Sequence, residues 1–160
     1  MPPRQSSLSC QTGNPINGCW RCDTNWEANS QCLADCGIGI GARALGGKGG
    51  QIYMVMDSLD NDAVNPTLGT LWFAVIQEEP LWIICFENIL IKLKQGLIFN
   101  IFETLDGRGA TVHIVGSGCI TLQYISNVII HNIYVHHCIP SGDTNVKSSP
   151  MHFQLLLSSL

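Results

Sequence analysis

The chain has 160 residues, of which 46% are hydrophobic and 12% charged, a composition too apolar for a disordered protein. The formal net charge of −4 gives no basic footprint for nucleic acid. No apolar run reaches the ~18 residues needed to cross a bilayer. We therefore expect neither nucleic acid nor a membrane as a partner.

Eight cysteines indicate either disulfides in an oxidising compartment or a metal site. The first nine residues, MPPRQSSLS, hold one arginine and no apolar stretch, so no signal peptide is visible there. The cysteines thus favour export, and the beginning of the chain does not.

Residues 1–69 are predicted to form an amino-terminal arm of cysteine-rich loops with one strand. Cysteine, glycine and asparagine are frequent up to residue 50, and no apolar period is sustained there. Gln51–Met56 is the strand candidate, and a polar turn with Asn65-Pro66 follows.

A short capping helix is predicted after the arm. Leu71, Ala74 and Val75 have helical spacing, Thr70 is a suitable N-cap, and Pro80 is a stop. Short strands are predicted beyond it, with no helix between them. They are Leu81–Phe86, Ile89–Leu93, Thr111–Val115, Cys119–Tyr124, Asn127–His131 and Ile133–Cys138.

Repetition at a spacing of 22 residues is the informative feature of this β-rich body. Ile91, His113 and Val135 have that spacing, and so do Ile89, Thr111 and Ile133. A period in the low twenties without helices indicates a solenoid. Three short strands in each turn of a parallel β-helix fit the spacing best, and a β-sandwich or an irregular α+β domain is the alternative.

Several short motifs, in their order and spacing, resemble plant pectate lyases and the related conifer pollen allergens. The resemblance covers about residues 8–150. In the arm it rests on Asn14-Pro15-Ile16, Cys19-Trp20-Arg21-Cys22-Asp23, Asn25-Trp26, Leu33-Ala34-Asp35-Cys36-Gly37, Leu45-Gly46-Gly47-Lys48-Gly49-Gly50 and Val64-Asn65-Pro66. In the body it rests on Gly69-Thr70-Leu71, Glu79-Pro80-Leu81-Trp82-Ile83-Ile84, Ile91-Lys92-Leu93-Lys94, Thr104-Leu105-Asp106-Gly107-Arg108-Gly109-Ala110 and Asn127-Val128-Ile129-Ile130-His131.

The resemblance implies an all-β fold, a right-handed parallel β-helix, here partial with about three turns. It also implies secretion to the cell wall and calcium-dependent β-elimination of de-esterified pectin. In that reaction calcium bridges substrate carboxylates and acidic side chains and acidifies the proton next to the carboxylate, and an arginine is the base.

The chain departs from the family where the chemistry would begin. The family's calcium ligands lie in an Asp-Gly-Asp stretch and a Trp-Ile-Asp-His-Asn stretch, and neither occurs here. No catalytic residue or metal ligand of the family is therefore assigned, and no substrate-binding residue is known. We place the first β-helix turns at residues 70–150 and an aberrant apolar tail at 151–160. Trp72, Cys32 and Cys85 also depart from the family pattern.

The cysteines allow two interpretations. Cys19 and Cys22 with Cys32 and Cys36 have approximate zinc-site spacing. The competing interpretation is a Cys19–Cys36 disulfide with Cys10 and Cys22 paired. Cys119 and Cys138, about one repeat apart, would lie close together on adjacent turns, and the resemblance supports a disulfide there, which would contribute ~3 kcal/mol.

Four other patterns are interpreted as structural or solvent-exposed rather than as functional sites. His136 and His137 would point to opposite faces of a strand, so a metal cluster with His131 is not expected. The run Gly46–Gly50 lacks the ending of a phosphate loop. Asp106 and Arg108 could form a catalytic pair, but the resemblance makes their segment a structural turn. The cations near the body are assigned to a solvated face: Lys92, Lys94, Arg108 and Lys147.

We therefore expect a pectate-lyase-type chain that is inactive on its own, and the resemblance implies pectate (polygalacturonate) as its partner. The alternatives are a non-catalytic pectin-binding or allergen-like wall protein, a small zinc-binding module, and a degenerate product without function. We also expect a monomer that aggregates readily, because a solenoid of three turns ends in an exposed strand edge.

Overall fold

The structure, a computed structural model, describes residues 10, 12–60, 62–122, 124–138 and, as backbone, 155–158. The helical segments are α1 (Pro15–Arg21), 3₁₀ helices at Ser30–Cys36 and Gly39–Gly41, and α2 (Leu71–Val75). The strands are β1 (Gln51–Val55), β2 (Leu81–Cys85), β3 (Ile89–Leu93), β4 (Leu97–Ile98), β5 (Glu103–Asp106), β6 (Val112–Gly116), β7 (Ile120–Thr121), β8 (Val128–His131), β9 (Ile133–Cys138) and β10 (Leu155–Ser158).

The strands form three parallel sheets, as the predicted β-helix requires. One sheet has the order β1-β2-β5-β8-β10, the second β3-β6-β9 and the third β4-β7. Each of the strands β2, β3 and β4 therefore pairs with the strand that follows it by one turn of the chain. The described residues contain two complete coils, β2-β3-β4 and β5-β6-β7, and a third begun by β8-β9.

The predicted 22-residue register is correct only approximately, because the advance from one coil to the next varies from 21 to 25 residues. Trp82 pairs with Thr104, which agrees with the 22-residue spacing. Ile91, however, pairs with Ile114 rather than His113, and Ile114 pairs with Val135. The second sheet thus advances by 23 and then 21 residues, because the corners between strands differ in length from coil to coil.

The inside of the β-helix is filled by apolar side chains that stack in register. Ile83, Leu105 and Ile130 form one such stack and are at most 4% exposed. Ile91 and Ile114 form another in the second sheet. Each buried side chain of this kind contributes about 1.5–3 kcal/mol of transfer free energy.

Helix α2 closes the first end of this core, as predicted. The Thr70 hydroxyl accepts a hydrogen bond from the Phe73 amide at 3.3 Å, so Thr70 is the N-cap. Leu71, Trp72 and Val75 are buried in the same apolar cluster as the inward-facing strand residues. Trp72 thus fills core volume, even though it departs from the family pattern.

The arm packs on the outer face of the first sheet, so this sheet is buried on both sides. Ile16 and Leu33 of the arm form a second buried cluster with Trp82 and Ile129 of the sheet. Since inward Ile83 and outward Trp82 are both buried, β2 reads as a continuous apolar run rather than an alternating one. The described residues contain no helix long and apolar enough to cross a membrane.

Several predicted boundaries were wrong. The arm carries α1 and two 3₁₀ helices, which lack the apolar period that would reveal them. Thr104–Asp106 belongs to strand β5 rather than to a turn, and only Ile120–Thr121 of the predicted Cys119–Tyr124 strand is extended. In the tail, the β10 backbone pairs in parallel with β8 and covers that strand's edge.

Candidate functional site

A buried ion pair between Asp106 and Arg108 lies where the arm meets the second coil. Arg108 Nε donates to Asp106 Oδ1 at 2.8 Å and an Arg108 Nη donates to Oδ2 at 2.6 Å. That arginine nitrogen also donates to the Ser30 carbonyl of the arm, and Trp82 Nε1 donates to Asp106 Oδ2 at 3.2 Å. The two charges therefore have partners on both the arm and the β-helix, which offsets their desolvation.

Two tryptophans of the arm enclose the guanidinium of Arg108. Its central carbon lies 5.1 Å from the ring centroid of Trp20 and 4.9 Å from that of Trp26. Arg21 approaches Trp20 at the same 5.1 Å. Such cation–π contacts strengthen when the cation is desolvated, so Arg108 anchors the arm to the second coil.

This pair is not open to a substrate. The side chains of Arg108 and Asp106 are only 1% and 2% exposed. The cavity beside them has a volume of about 20 Å³, room for a single water. The geometry therefore supports a structural role for these two residues over a catalytic one. Asp106 is the last residue of β5, so the turn itself is confined to Gly107-Arg108-Gly109.

His131 lies next to this ion pair, one coil further on. It pairs with Asp106 across the sheet and is 1% exposed, and Trp20 contacts it edge-on. The pKa of His131 is lowered to about 4, mainly by burial; the charge of Asp106 opposes this effect, and the charges of Arg108 and Arg21 add to it. The imidazole is thus neutral at ordinary pH and belongs to the packing under the arm.

The other histidines contradict the predicted arrangement. His136 and His137 do not point apart: their Nδ1 atoms lie 2.5 Å from each other. His113 Nδ1 lies 2.9 Å from His136 Nε2, so His113, not His131, is the third member of the group. Even so, no group of three or more metal-ligating residues converges among the residues that the structure describes.

Four cysteines of the arm are joined in pairs. Cys10 is bonded to Cys22, and Cys19 to Cys36, with Cα–Cα distances of 5.2 and 5.6 Å. This pairing leaves no thiolates at Cys19, Cys22 or Cys36 for the alternative zinc site, while Cys32 is an exposed free thiol. Burial, and to a lesser extent Asp106, raises the pKa of the other non-family cysteine, Cys85, to about 11.

Cys119 and Cys138 meet on adjacent coils but are not bonded in this structure. Their thiols are hydrogen-bonded to each other, and burial together with the Cys119 thiol raises the pKa of Cys138 to about 11. The expected disulfide is thus absent here, although the two residues are neighbours, as their spacing indicates. We retain the bond as a proposal for the oxidised chain.

The glycine run of the arm serves close packing. The Gly47 amide donates to the Thr104 hydroxyl at 2.9 Å, and a Cβ on Gly47 would lie 2.0 Å from the Leu81 carbonyl oxygen. Gly46 has a φ of 53° in an equally tight place. These glycines let the arm backbone lie directly against β2 and β5, so their frequency reflects contact with the sheet.

The remaining predicted cations form no site with these groups. Lys92 and Lys94 are exposed on or beside β3, and Lys147 lies outside the described residues. An open groove of about 580 Å³ lies elsewhere, beside Gln51, Gln77 and Glu79, and no cationic, hydroxyl or thiol side chain lines it.

Sequence reasoning missed the residues that hold the arm in place: Trp20, Trp26, Ser30 and Trp82. In the sequence the tryptophans stand out only as parts of the family motifs. Their one available signal was the presence of two tryptophans in a polar, loop-rich segment, where such large apolar side chains need a surface to bury them.

Comparison with known proteins identifies relatives over nearly the whole chain. It is 69% identical over 147 residues to "Probable pectate lyase 12" of Arabidopsis thaliana, covering 92% of this chain and 30% of that protein. It is 54% identical over 145 residues to a pectate lyase of Zinnia elegans, covering 91% of this chain and 36% of that protein. No family model matches the chain.

A solved structure shares the fold. Jun a 1, the major allergen from cedar pollen, matches with a TM-score of 0.74 and 47% identity, over 78% of this chain and 36% of the allergen. The chain thus spans about a third of the length of the relatives that it matches. The resemblance is confirmed, and so is the parallel β-helix that both the spacing and the resemblance predict.

Proposed function

Because the chain is a homologue of a segment of plant pectate lyases, we propose that it carries the arm and first coils of a protein for calcium-dependent β-elimination of de-esterified pectin. The observation behind this proposal is the 69% identity over 92% of the chain. Identity at that level extends over the arm, the capping helix and the coils together.

We further propose that these 160 residues do not cleave pectate by themselves. Calcium is bound by carboxylate and carbonyl oxygens, and the acidic stretches expected to supply them do not occur in the sequence. The Asp106–Arg108 pair, which resembles a catalytic pair in the sequence, is buried between the arm and the second coil, and its two side chains hydrogen-bond to each other. Its arginine has no path to a substrate proton.

The test is an assay of the purified chain with polygalacturonate and calcium at alkaline pH. We expect no ultraviolet-absorbing unsaturated product, and a full-length pectate lyase in the same buffer is the positive control. Formation of product that calcium chelation abolishes would overturn the inactivity while supporting the family reaction.

A second candidate function is pectate binding without cleavage, and the exposed lysines favour it. Lys92 lies on β3 and Lys94 directly follows it, and both are exposed on either side of the buried Leu93. Such a pair suits a polyanion. We expect sedimentation with pectate beads to fall several-fold in the K92E/K94E variant, with K48E as the matched arm control. Equal retention of all three proteins would count against this function.

We also propose that the protein is secreted to the cell wall. The Cys10–Cys22 and Cys19–Cys36 bonds persist only in an oxidising compartment. Expression in the cytosol of a reducing host is therefore expected to yield an arm with reduced cysteines.

A further inference from the structure

Three histidines form a chain of imidazoles on the outer face of the second sheet. His113 Nδ1 lies 2.9 Å from His136 Nε2, and His136 Nδ1 lies 2.5 Å from His137 Nδ1. His137 is exposed, and His113 and His136 are partly exposed. The group is separate from the buried ion pair under the arm, and neither the family resemblance nor the proposed function uses it.

A β-bulge brings these side chains together. Ile114 pairs with Val135 and Gly116 with Cys138, so two residues of β9 stand opposite the single Val115 of β6. The extra residue is His137, whose φ of 52° lies in the left-handed region. The bulge turns the His137 side chain toward His136 instead of to the opposite face.

The ring of His113 is held from its other side. His113 pairs with Tyr134 across β6 and β9, and the two rings stack with centroids 4.9 Å apart. The His113 and His136 rings meet at an interplanar angle of 90°. The edge of one ring therefore faces the other, with a nitrogen of each directed at the contact.

The chain of contacts constrains the protons on His136. A neutral imidazole carries one N–H and one lone pair, so a His136 that donates through Nδ1 to His137 presents a lone pair at Nε2. That lone pair faces His113 Nδ1. If His113 carries its proton on Nε2, two nitrogen lone pairs converge on one point.

We propose that His113 Nδ1 and His136 Nε2 bind a divalent transition-metal ion such as Zn²⁺, Ni²⁺ or Cu²⁺. Zinc–imidazole bonds are ~2.0–2.1 Å long, so tetrahedral coordination needs the two nitrogens about 3.3 Å apart. The distance between His113 Nδ1 and His136 Nε2 must therefore increase by less than about half an ångström. In this arrangement His136 donates its Nδ1–H to His137, and this contact fixes the tautomer of the ligand, the usual role of such a partner.

The chemistry of the pair sets the ligand class and the strength of binding. Imidazole nitrogen suits zinc, nickel and copper, whereas calcium takes oxygen ligands. Since the described residues offer no converging third ligand, water completes the coordination. This site is therefore distinct in both ligands and metal from a calcium centre.

The first experiment is calorimetric titration of the full chain with Ni²⁺ and, separately, Ca²⁺ in a non-coordinating buffer. The H113A and H136A variants distinguish this site from any binding of nickel by the free thiols. We expect one Ni²⁺ per chain and no heat from Ca²⁺. The H113A and H136A variants are expected to lose at least tenfold in affinity, H137A to lose about tenfold, and the Y134F control to keep wild-type affinity.

The second experiment places the metal without relying on the variants. Substoichiometric Cu²⁺ is expected to broaden the imidazole proton resonances of His113 and His136 before those of buried His131. Nickel affinity unchanged in the H113A/H136A double variant would overturn the proposal. Broadening of His131 first, with the other imidazoles unaffected, would overturn it as well.

Discussion

Arg108 shows how much one side chain contributes to joining the arm to the β-helix. It pairs with Asp106 through two hydrogen bonds, donates to the Ser30 carbonyl and lies between two indole rings. A lysine cannot reproduce the planar, forked geometry of these contacts.

We predict that Arg108→Lys lowers the free energy of unfolding by about 3 kcal/mol, the typical cost of breaking a buried ion pair. Urea denaturation followed by tryptophan fluorescence measures the change. The control is Lys48→Met, which removes the exposed pair with Asp35 and should cost less than ~1 kcal/mol. An Arg108→Lys protein as stable as the wild type would contradict the anchoring role.

Glu103 makes the stability of the protein depend on pH. It is completely buried, and this burial raises its pKa to about 8, against a smaller lowering effect of its hydrogen bond from the Asn100 amide. The folded state thus holds a proton that the unfolded state releases near its ordinary pKa of 4.5. The stabilisation is complete below pH 4.5 and is lost as the pH rises through 8.

His131 acts in the opposite direction. Its pKa is lowered to about 4 from an ordinary 6.5, so its contribution is present above pH 6.5 and is lost as the pH falls toward 4. Between pH 4.5 and 6.5 the two slopes oppose each other. Between 6.5 and 8, of these two groups only Glu103 contributes, at up to about 1.4 kcal/mol for each pH unit.

We predict that urea midpoints of the wild type fall between pH 6.5 and 8, and that Glu103→Gln flattens this fall because glutamine has no proton to release. Denaturation curves at half-unit pH intervals measure it, with the exposed Glu79→Gln as control. A wild-type curve that is flat over this range would show that Glu103 has no raised pKa.

At the scale of elements, the coils are held together by register and by cross-coil contacts. Ile83, Leu105 and Ile130 stack because each inward position repeats at the same point of β2, β5 and β8. Periodicity reveals the strands, but it cannot show a bulge, because the extra residue in β9 changes the local spacing and leaves the average intact. The histidine chain was missed for this reason.

Cys119 and Cys138 provide the test of how the second and third coils meet. We predict that mild oxidation joins them, since their thiols already contact each other across the coils. Peptide mapping under non-reducing conditions should find this bond beside Cys10–Cys22 and Cys19–Cys36. The free energy of unfolding should rise by ~3 kcal/mol, the contribution of a closed loop of this size. The Cys119→Ser variant is the control, and a thiol count of four after oxidation would contradict the bond.

At the scale of the whole molecule, the free edges of the sheets determine how the chain behaves in solution. An uncovered strand edge offers unpaired amides and carbonyls to another chain. In this structure β10 pairs with β8 over Leu155–Ser158 and covers one such edge. The tail that looked aberrant in the sequence thus occupies the strand position that follows β8 in the first sheet.

We predict that a chain ending at residue 150 associates more strongly than the full chain. Size-exclusion chromatography with light scattering, at several protein concentrations, measures the association. A chain lacking only residues 159–160 is the control, because it keeps β10. A monomeric peak for the 150-residue chain would show that the β8 edge needs no cover.

The sequence by itself determined the solenoid class, the capping helix with its Thr70 cap, and the family resemblance, because each is encoded in short-range spacing and motif order. Only the tertiary structure decided what the arm does. Trp20, Trp26 and Ser30 meet Arg108 across 78 or more residues of chain, and no local pattern encodes a contact between segments so far apart. The bulge and the histidine chain likewise depend on how two coils are aligned, a property of the folded stack rather than of any one strand.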